Sequence, residues 1–551
     1  MKRKRIYIYG LSTGILLAAA FPPFPFPLLA FIAFVPLLFA LEHTHKQFFL
    51  LLYITFFIFH GGTNWWISSW QSQTDPFLFI AGIAVWIIHP LFFLLPIATY
   101  IYIKKWIGRD SALWIFPFLW TSFEWLHSIG EVAYPWLSLG YTQVYNFYWV
   151  QIADIIGVFG ITFVIILTNS IIYKLIIIIN DNIHISKKLL PLFKVKYFKP
   201  LLLSLILIII IPLIYGFNII SEYNHTKLLQ NERNIKIGLI QLNVNPWQKW
   251  ESETFGLIKK HQNIQDSLQR AYGHFDLGVW SETAITYYGV DFNQRHNFKS
   301  VQDWINSDST ALLTGFADIF VYSDKSQAPI TARFWGDSSQ VYEAFNSALL
   351  LNSSPNDNLN PQIYHKMRLT PFSERIPYAE TFKFALSWLE WGVGISSWGK
   401  GTDQKNLILQ NKKDTVKIGT IICIESIYPL FVRNYILKGA EILVVITNDA
   451  WYDHTFGPEQ HFCISAMRAI ETRRYIARCA NSGITGFIKP TGETLKTAPQ
   501  YASVAIADEI PLLNNKSIYM YMGNFLPIVA TVLSLISLFY AVIIKHRKNS
   551  I

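Results

Sequence analysis

The sequence predicts a polytopic α-helical membrane domain of about eight transmembrane helices, joined to an α/β domain that stands outside the cytoplasm. Three observations predict it. Apolar residues make up 52% of the 551 residues and charged residues only 15%, against roughly 25% charged in ordinary soluble domains. Residues 6–41, 201–220 and 522–544 contain no Lys, Arg, Asp or Glu, and about 20 apolar residues suffice to cross a bilayer. From residue 234 onward the texture changes to short β-rich runs separated by polar and helical ones. This composition excludes a disordered chain and a coiled coil. Three cysteines, Cys423, Cys463 and Cys479, exclude a disulfide framework in so long a chain.

Apolar runs place spans near 6–21, 26–41, 48–66, 78–102, 112–128, 155–178, 200–220 and 522–544. The first is read as a retained helix, since further spans follow at once and no small-residue cleavage site is evident. Basic residues then fall on alternate connections. Lys2, Arg3, Lys4 and Arg5 precede the first span, and Lys46 lies between the second and third. Lys104, Lys105 and Arg109 separate the fourth from the fifth, and Lys187, Lys188, Lys194, Lys196 and Lys199 the sixth from the seventh. Connections near 22–25, 67–77 and 129–154 carry no Lys or Arg. Cytoplasmic loops hold the excess of positive charge, so the N-terminus is expected inside, and Lys545, Arg547 and Lys548 place the C-terminus there too. Seven spans in residues 1–220 then put residues 221–521 outside, and residues 522–551 form the last span and tail.

The net charge of +10 follows these span edges and no basic helix or aromatic-basic platform, so nucleic-acid binding is not expected. Trp65, Trp66, Trp70, Tyr134, Trp136, Tyr141, Tyr145, Tyr148 and Trp149 crowd the outside-facing connections. They read either as an interfacial aromatic belt or as the floor of a lipid-access site. Glu124 and His127 are expected at the interface, near the end of the fifth span.

In the outer domain, 235–245, 276–282, 311–318, 347–353, 416–425, 441–449 and 503–509 read as strands, and 254–272, 426–438 and 459–475 as helices. Strands interleaved with helices over this length fit a layered α/β or α+β domain, with 352–361 as a hairpin loop. No Gly-rich phosphate-binding pattern occurs, and His and Asp show no metal-ligand spacing.

Cys423 closes one predicted strand just before a helix, where a thiol is exposed and the helix N-terminus favours the thiolate. It is a nucleophile on that reading and a buried structural cysteine on the other. Glu282 ends another strand and is a candidate general base, or else a solvated strand-end carboxylate. Lys366 is a candidate oxyanion donor, or else a surface lysine, with Glu374 eight residues on. No His is placed for a thiol-protease dyad.

Taken together, these segments resemble the nitrilase superfamily, whose catalytic group is Glu, Lys and Cys. VWSETAI (279–285) carries Glu282, YHKMRLTPFSERIP (364–377) carries Lys366, and TIICIES (420–426) carries Cys423, in the family's order. NDAWY (448–452), FGPEQHFCISAMRAIETRR (456–474) and ANSGITGFIKPTGE (480–493) extend the likeness. With seven spans ahead and one behind, and with YPWLSLGYTQ (134–143) between spans, the whole chain resembles the bacterial apolipoprotein N-acyltransferase family.

The resemblance implies an αββα sandwich and an acyl transfer in the bacterial inner membrane, from a phospholipid to the N-terminal diacylglyceryl-cysteine of apolipoproteins, without cofactor or metal. It implies Cys423 as nucleophile, Glu282 as base and Lys366 at the oxyanion. Glu374 and Glu425 match supporting acidic positions, and Trp250 matches a substrate-contacting Trp. Ile424 departs from the pattern, since an aromatic often follows the nucleophile. Cys463 and Cys479 match no catalytic position. Two other readings stand beside this one: a membrane-tethered amidase acting on a soluble amide, and an inactive lipid-binding or transport scaffold.

Overall fold

A computed structural model describes the chain except residues 1–2, 43–47, 71–75, 187–191, 193–194, 225–232, 287–294, 335–339, 354–360, 382–397, 411–413 and 550–551. Lys2, Lys46, Lys187, Lys188, Lys194 and most of the expected hairpin loop at 352–361 lie outside the described residues.

The β-rich part forms two sheets. The first holds β1 (Asn234–Gln241), β2 (Leu277–Trp280), β3 (Ala311–Tyr322), β4 (Arg333–Phe334), β5 (Val341–Leu351) and β6 (Gln362–His365). The second holds β7 (Leu407–Gln410), β8 (Thr415–Ile422), β9 (Ile442–Thr447), β10 (Ile476–Ala480), β11 (Gly486–Ile488) and β12 (Thr494–Thr497), before β13 (Val504–Pro511) returns to the first. Their orders are β13-β1-β2-β3-β5-β4, with β6 also on β5, and β12-β11-β10-β9-β8-β7. In each sheet the three central strands are parallel, β1-β2-β3 and β8-β9-β10, and the outer pairings are antiparallel. Parallel neighbours need long crossovers, and the helices Thr254–Tyr272, Arg295–Asp308, Pro429–Leu437 and Gly457–Thr472 supply them.

Strand alternation sorts the side chains into layers. Leu239, Val279, Leu313 and Leu350 share one core with Ile421, Val444 and Ala477 of the second sheet. Ile240, Trp280, Leu312 and Leu349 turn the other way, onto Phe298, Val301 and Ile305 of a flanking helix. Cys479 lies in the gap between sheets, its Sγ 3.2 Å from the Ile240 carbonyl and 3.3 Å from that of Val279. This is the sandwich that the resemblance implies.

The expected apolar runs are helical, but their count as spans changes. Among the described residues five helices are long and apolar enough to cross a membrane: Phe48–Ser68, Leu78–Ile107, Trp149–Asn182, Phe198–Asn224 and Phe525–Asn549. The run at 26–41 is divided into a short turn, Pro27–Phe31, and the helix Val35–Glu42. The helix Arg3–Ala20 begins on three basic residues, and Arg109–His127 carries Arg109, Asp110 and Glu124, which lowers its mean hydropathy. A count of eight is therefore not carried by length and composition.

Glu124 is not interfacial as expected. It is 4% exposed and accepts from Trp120 Nε1, Leu139 N and Thr162 Oγ1 at 2.7–3.0 Å, because the loop after its helix folds back over it. His127 is half-buried and meets His89, Nε2 to Nε2, at 2.8 Å. The aromatic connections also divide. Trp65, Trp70, Tyr145 and Tyr148 are exposed, while Trp66, Trp136, Tyr141 and Trp149 are buried. Trp66 and Trp136 both donate to Gln460 Oε1, and Tyr141 donates to the Ile427 carbonyl. These inner aromatics form the floor on which the sandwich rests.

Candidate active site

Three strand ends converge. Glu282 follows β2, Lys366 follows β6, and Cys423 follows β8 at the start of a single turn, Cys423–Ile427. Gly315 of β3 lets the Glu282 segment press close, since a Cβ there would lie 2.4 Å from Thr283 N and 2.7 Å from Glu282 Cα.

Lys366 is 1% exposed, and its Nζ donates to Glu282 Oε1 at 3.0 Å and to Glu374 Oε1 at 2.8 Å. Asn346 of β5 sits between the same two carboxylates, its Nδ2 donating to Glu282 Oε1 at 2.8 Å and Glu374 Oε1 at 3.0 Å. Thr370 N donates to the second oxygen of Glu374. Burial opposes charge on Lys366, but Glu282 and Glu374 outweigh it and hold the ammonium well above its usual range. Burial likewise opposes the Glu374 carboxylate, and Lys366 outweighs it, so that group is lowered. An ammonium has three donors. Two are engaged with carboxylates and one is left for an incoming oxygen.

Cys423 has φ +49°, in the left-handed region that costs a side-chain-bearing residue energy. The turn is held from several sides. Ile422 N donates to Glu425 Oε2 at 2.8 Å, Ser426 Oγ donates to the Cys423 carbonyl at 2.9 Å, and His461 Nε2 lies 3.2 Å from that carbonyl. His461 Nδ1 faces Asp449 Oδ1 at 2.8 Å, and Arg478 donates to the other Asp449 oxygen at 2.7 Å. The expected exposed, acidified thiol is not what forms. Cys423 is half-buried, and its thiol is pushed well up, first by burial and then by the Glu282 charge, against a smaller opposing pull from Lys366. A short turn at the strand end is too weak a positive pole to overcome both.

Glu425 is 0% exposed and joins the two halves of the site. Its Oε1 accepts from Tyr364 OH at 2.6 Å and Met367 N at 2.7 Å, beside Lys366, while its Oε2 holds the Cys423 turn. Burial pushes its carboxyl up to about 7 despite these donors. Trp250 stands apart, 41% exposed, with its ring 6.1 Å from that of Trp398. Ile424 packs into the core. Cys463 is buried in the helix Gly457–Thr472, away from the strand ends. Among the described residues no group of three or more His, Cys, Asp or Glu could hold a metal ion.

Asn346 and the His461–Asp449–Arg478 brace were not among the sequence candidates. Asn346 occupies an unremarked strand position, and only the pairing of β5 with β6 brings it to Lys366, whose N–H donates to the Asn346 carbonyl. Asp449 and His461 lie in NDAWY and FGPEQHF, whose likeness to the nitrilase superfamily was the available signal.

Residues 13–171 match the model of the apolipoprotein N-acyltransferase N-terminal domain, and residues 236–511 match the carbon-nitrogen hydrolase model. The apolipoprotein N-acyltransferase of Chlorobaculum tepidum is 31% identical over 95% of this chain and 93% of its own length. The chain belongs to the apolipoprotein N-acyltransferase family. Relatives of the same name in Geobacter metallireducens, 28% identical, and Treponema denticola, 25% identical, also align over 95% of this chain and 92% and 93% of theirs.

Proposed function

We propose that this member of the family moves a fatty acyl chain from a membrane phospholipid, through a thioester on Cys423, to the α-amino group of the diacylglyceryl-cysteine that begins an apolipoprotein. The observation that carries it is the buried set of Glu282, Lys366 and Glu374 beside a thiol that burial and the Glu282 charge push up, against ionisation. Such a thiol needs a base at the moment of attack.

Cys423 Sγ attacks the ester carbonyl of the donor as its proton passes to Glu282. The free donor of Lys366 meets the developing oxyanion. The C–O bond breaks, Glu282 returns the proton to the departing alkoxide, and a lysophospholipid leaves. The amine of the acceptor then attacks the thioester and gives its proton to Glu282. The C–N bond forms, the C–S bond breaks, and the thiol takes back its proton. Glu374 and Asn346 hold Lys366 and Glu282 in register, and Trp250 contacts substrate at the rim. The catalytic part, residues 221–521, lies on the extracytoplasmic face of the inner membrane, with both termini in the cytoplasm.

Burial of roughly 0.8 kcal/mol per CH₂ keeps acyl chains in the bilayer. A site on a membrane-borne floor receives both lipids with their tails still in lipid. The test is acceptor identity. Purified protein, labelled phosphatidylethanolamine and a diacylglyceryl-cysteine peptide should give N-acylated peptide with little free fatty acid. Free fatty acid as the main product, with or without peptide, would favour the amidase-like hydrolase instead.

A further inference from the structure

Behind the Glu282 turn lies a second lysine that this chemistry leaves without a task. Lys249, in the short turn Lys249–Glu251, is 2% exposed. Its Nζ donates to the Glu282 carbonyl and to Thr283 Oγ1, each at 3.0 Å. A buried ammonium has lost its hydration and ordinarily sits against a carboxylate. Lys366 has two such partners, whereas Lys249 makes no salt bridge among the described residues. One charged group acts on it, and it acts in turn on a neighbouring imidazole. The Glu282 charge favours its ammonium against burial, which pushes it down to about 7. His261 is itself buried, and its imidazole is pushed down to about 4, chiefly by burial and further by Lys249.

The turn that Lys249 grips is under strain. Thr283 has φ +48°, in the left-handed region, and Gly315 lies against its other side. The charges are also unbalanced without it. Glu282 and Glu374 carry two negative charges against the single positive charge of Lys366. A net negative cluster resists ionising the neighbouring thiol.

We propose that Lys249 is a positioning residue for the transfer reaction, a second buried cation that fixes the Glu282–Thr283 turn and offsets the excess negative charge of the two carboxylates on Lys366. Glu282 is then both aimed and charged when Cys423 gives up its proton. The inference rests on the reading of Glu282 as base and Cys423 as nucleophile.

The test uses alkylation of Cys423 by iodoacetamide, which needs the thiol and its base but no lipid. The full chain in detergent is followed by mass spectrometry of the Cys423 peptide from about pH 5 to 9, as wild type, Lys249→Met and Lys249→Arg. Removing this cation leaves the two carboxylates on Lys366 less offset and the Glu282–Thr283 turn less firmly held, so the acid limb of the rate should move to higher pH in Lys249→Met. On that limb the variant should be about tenfold slower than wild type. Lys249→Arg keeps the charge and should keep the acid limb in place, even where its bulk lowers the plateau. Above about pH 7, where Lys249 itself gives up its proton, wild type and Lys249→Met should converge. A lowered plateau with an unmoved limb in Lys249→Met, or an equal shift in both variants, would overturn the proposal.

If Lys249→Met does not accumulate, Lys249→Gln keeps a donor and drops the charge. It should show the same shift, and an unmoved limb there is equally fatal. Acyl-adduct formation from phosphatidylethanolamine vesicles is followed alongside. A wild type that is alkylated but never acylated brings down the proposed function and leaves the alkylation test of Lys249 standing.

Discussion

At Cys423 burial and then the Glu282 charge outweigh the local turn and push the thiol up, against ionisation. The roles of its neighbours follow from that. Cys423→Ala should abolish both adduct and transfer, while Cys463→Ala and Cys479→Ala should keep the adduct, read by mass spectrometry. Glu282→Gln preserves shape but removes the base, a loss of about 10²–10⁴-fold, and should recover in part as rising pH ionises the thiol. Lys366→Ala should lose about 10²–10³-fold in both half-reactions without alkaline rescue, because high pH cannot replace a lost positive charge. Pre-steady-state adduct formation across a pH series separates the two. Alkaline rescue of Lys366→Ala alone would mean the roles are exchanged. The sequence makes Glu282, Lys366 and Cys423 legible because each ends a strand inside a recognisable motif. Asn346 and Lys249 stay hidden because their importance depends on strand pairing and on burial, which no local pattern records.

Between elements, Glu425 ties the Lys366 loop to the Cys423 turn through hydrogen bonds to Tyr364, Met367 and Ile422. Glu425→Gln leaves one oxygen and turns an amide donor toward other donors. An unsatisfied buried group costs about 1–3 kcal/mol. The variant should therefore unfold at lower temperature and lose turnover more than donor binding, as kcat falls with KM nearly constant. A variant with wild-type melting and wild-type kcat would contradict this linking role.

The carboxyl's raised value adds a pH dependence. A group that binds its proton more tightly when folded makes stability fall as pH rises from the ordinary Glu range through about 7, and Glu425→Gln should flatten that part of the melting profile. Seven strands are readable from apolar runs, but β4, β6, β7, β10, β11 and β12 are not, and among these β10 is central to its sheet. Arg478 and Cys479 interrupt its pattern, although Arg478 is fully buried to reach Asp449.

Across the whole molecule, the helix Gly457–Thr472 is the joint. Every residue of it except Glu459 is buried, which fits a helix covered on both faces, by the second sheet and by the membrane helices. Gln460 accepts from Trp66 and Trp136 and donates to the carbonyls of Pro22 and Thr63. Glu471 accepts from Val158 N, a group freed because Gly157 leaves helical geometry at φ +66°. Just beyond the helix, Arg473 donates to Asp154 at 2.9 Å and to Gln151 Oε1 at 2.7 Å. Breaking a buried ion pair from one side costs about 3–5 kcal/mol. Arg473→Met should therefore lower the melting temperature and the yield of folded protein, and an unchanged melt would contradict this joint.

The positive-inside pattern is a molecular-scale signal too. A reporter active only in the cytoplasm, fused near residue 300, should be silent, and strong activity there would reverse the proposed orientation. The number of spans was less legible, since prolines and charges divide apolar runs in ways hydropathy alone does not resolve.

In the proposed transfer an acyl chain rests on Cys423 between donor and acceptor. Mass spectrometry of the purified full chain, incubated with phospholipid and no acceptor, tests it most directly. A single acyl mass should appear on the peptide bearing Cys423, absent in Cys423→Ala and discharged when a diacylglyceryl-cysteine peptide is added. Transfer to that peptide with no acyl mass on Cys423 at any time, or undiminished transfer by Cys423→Ala, would contradict it.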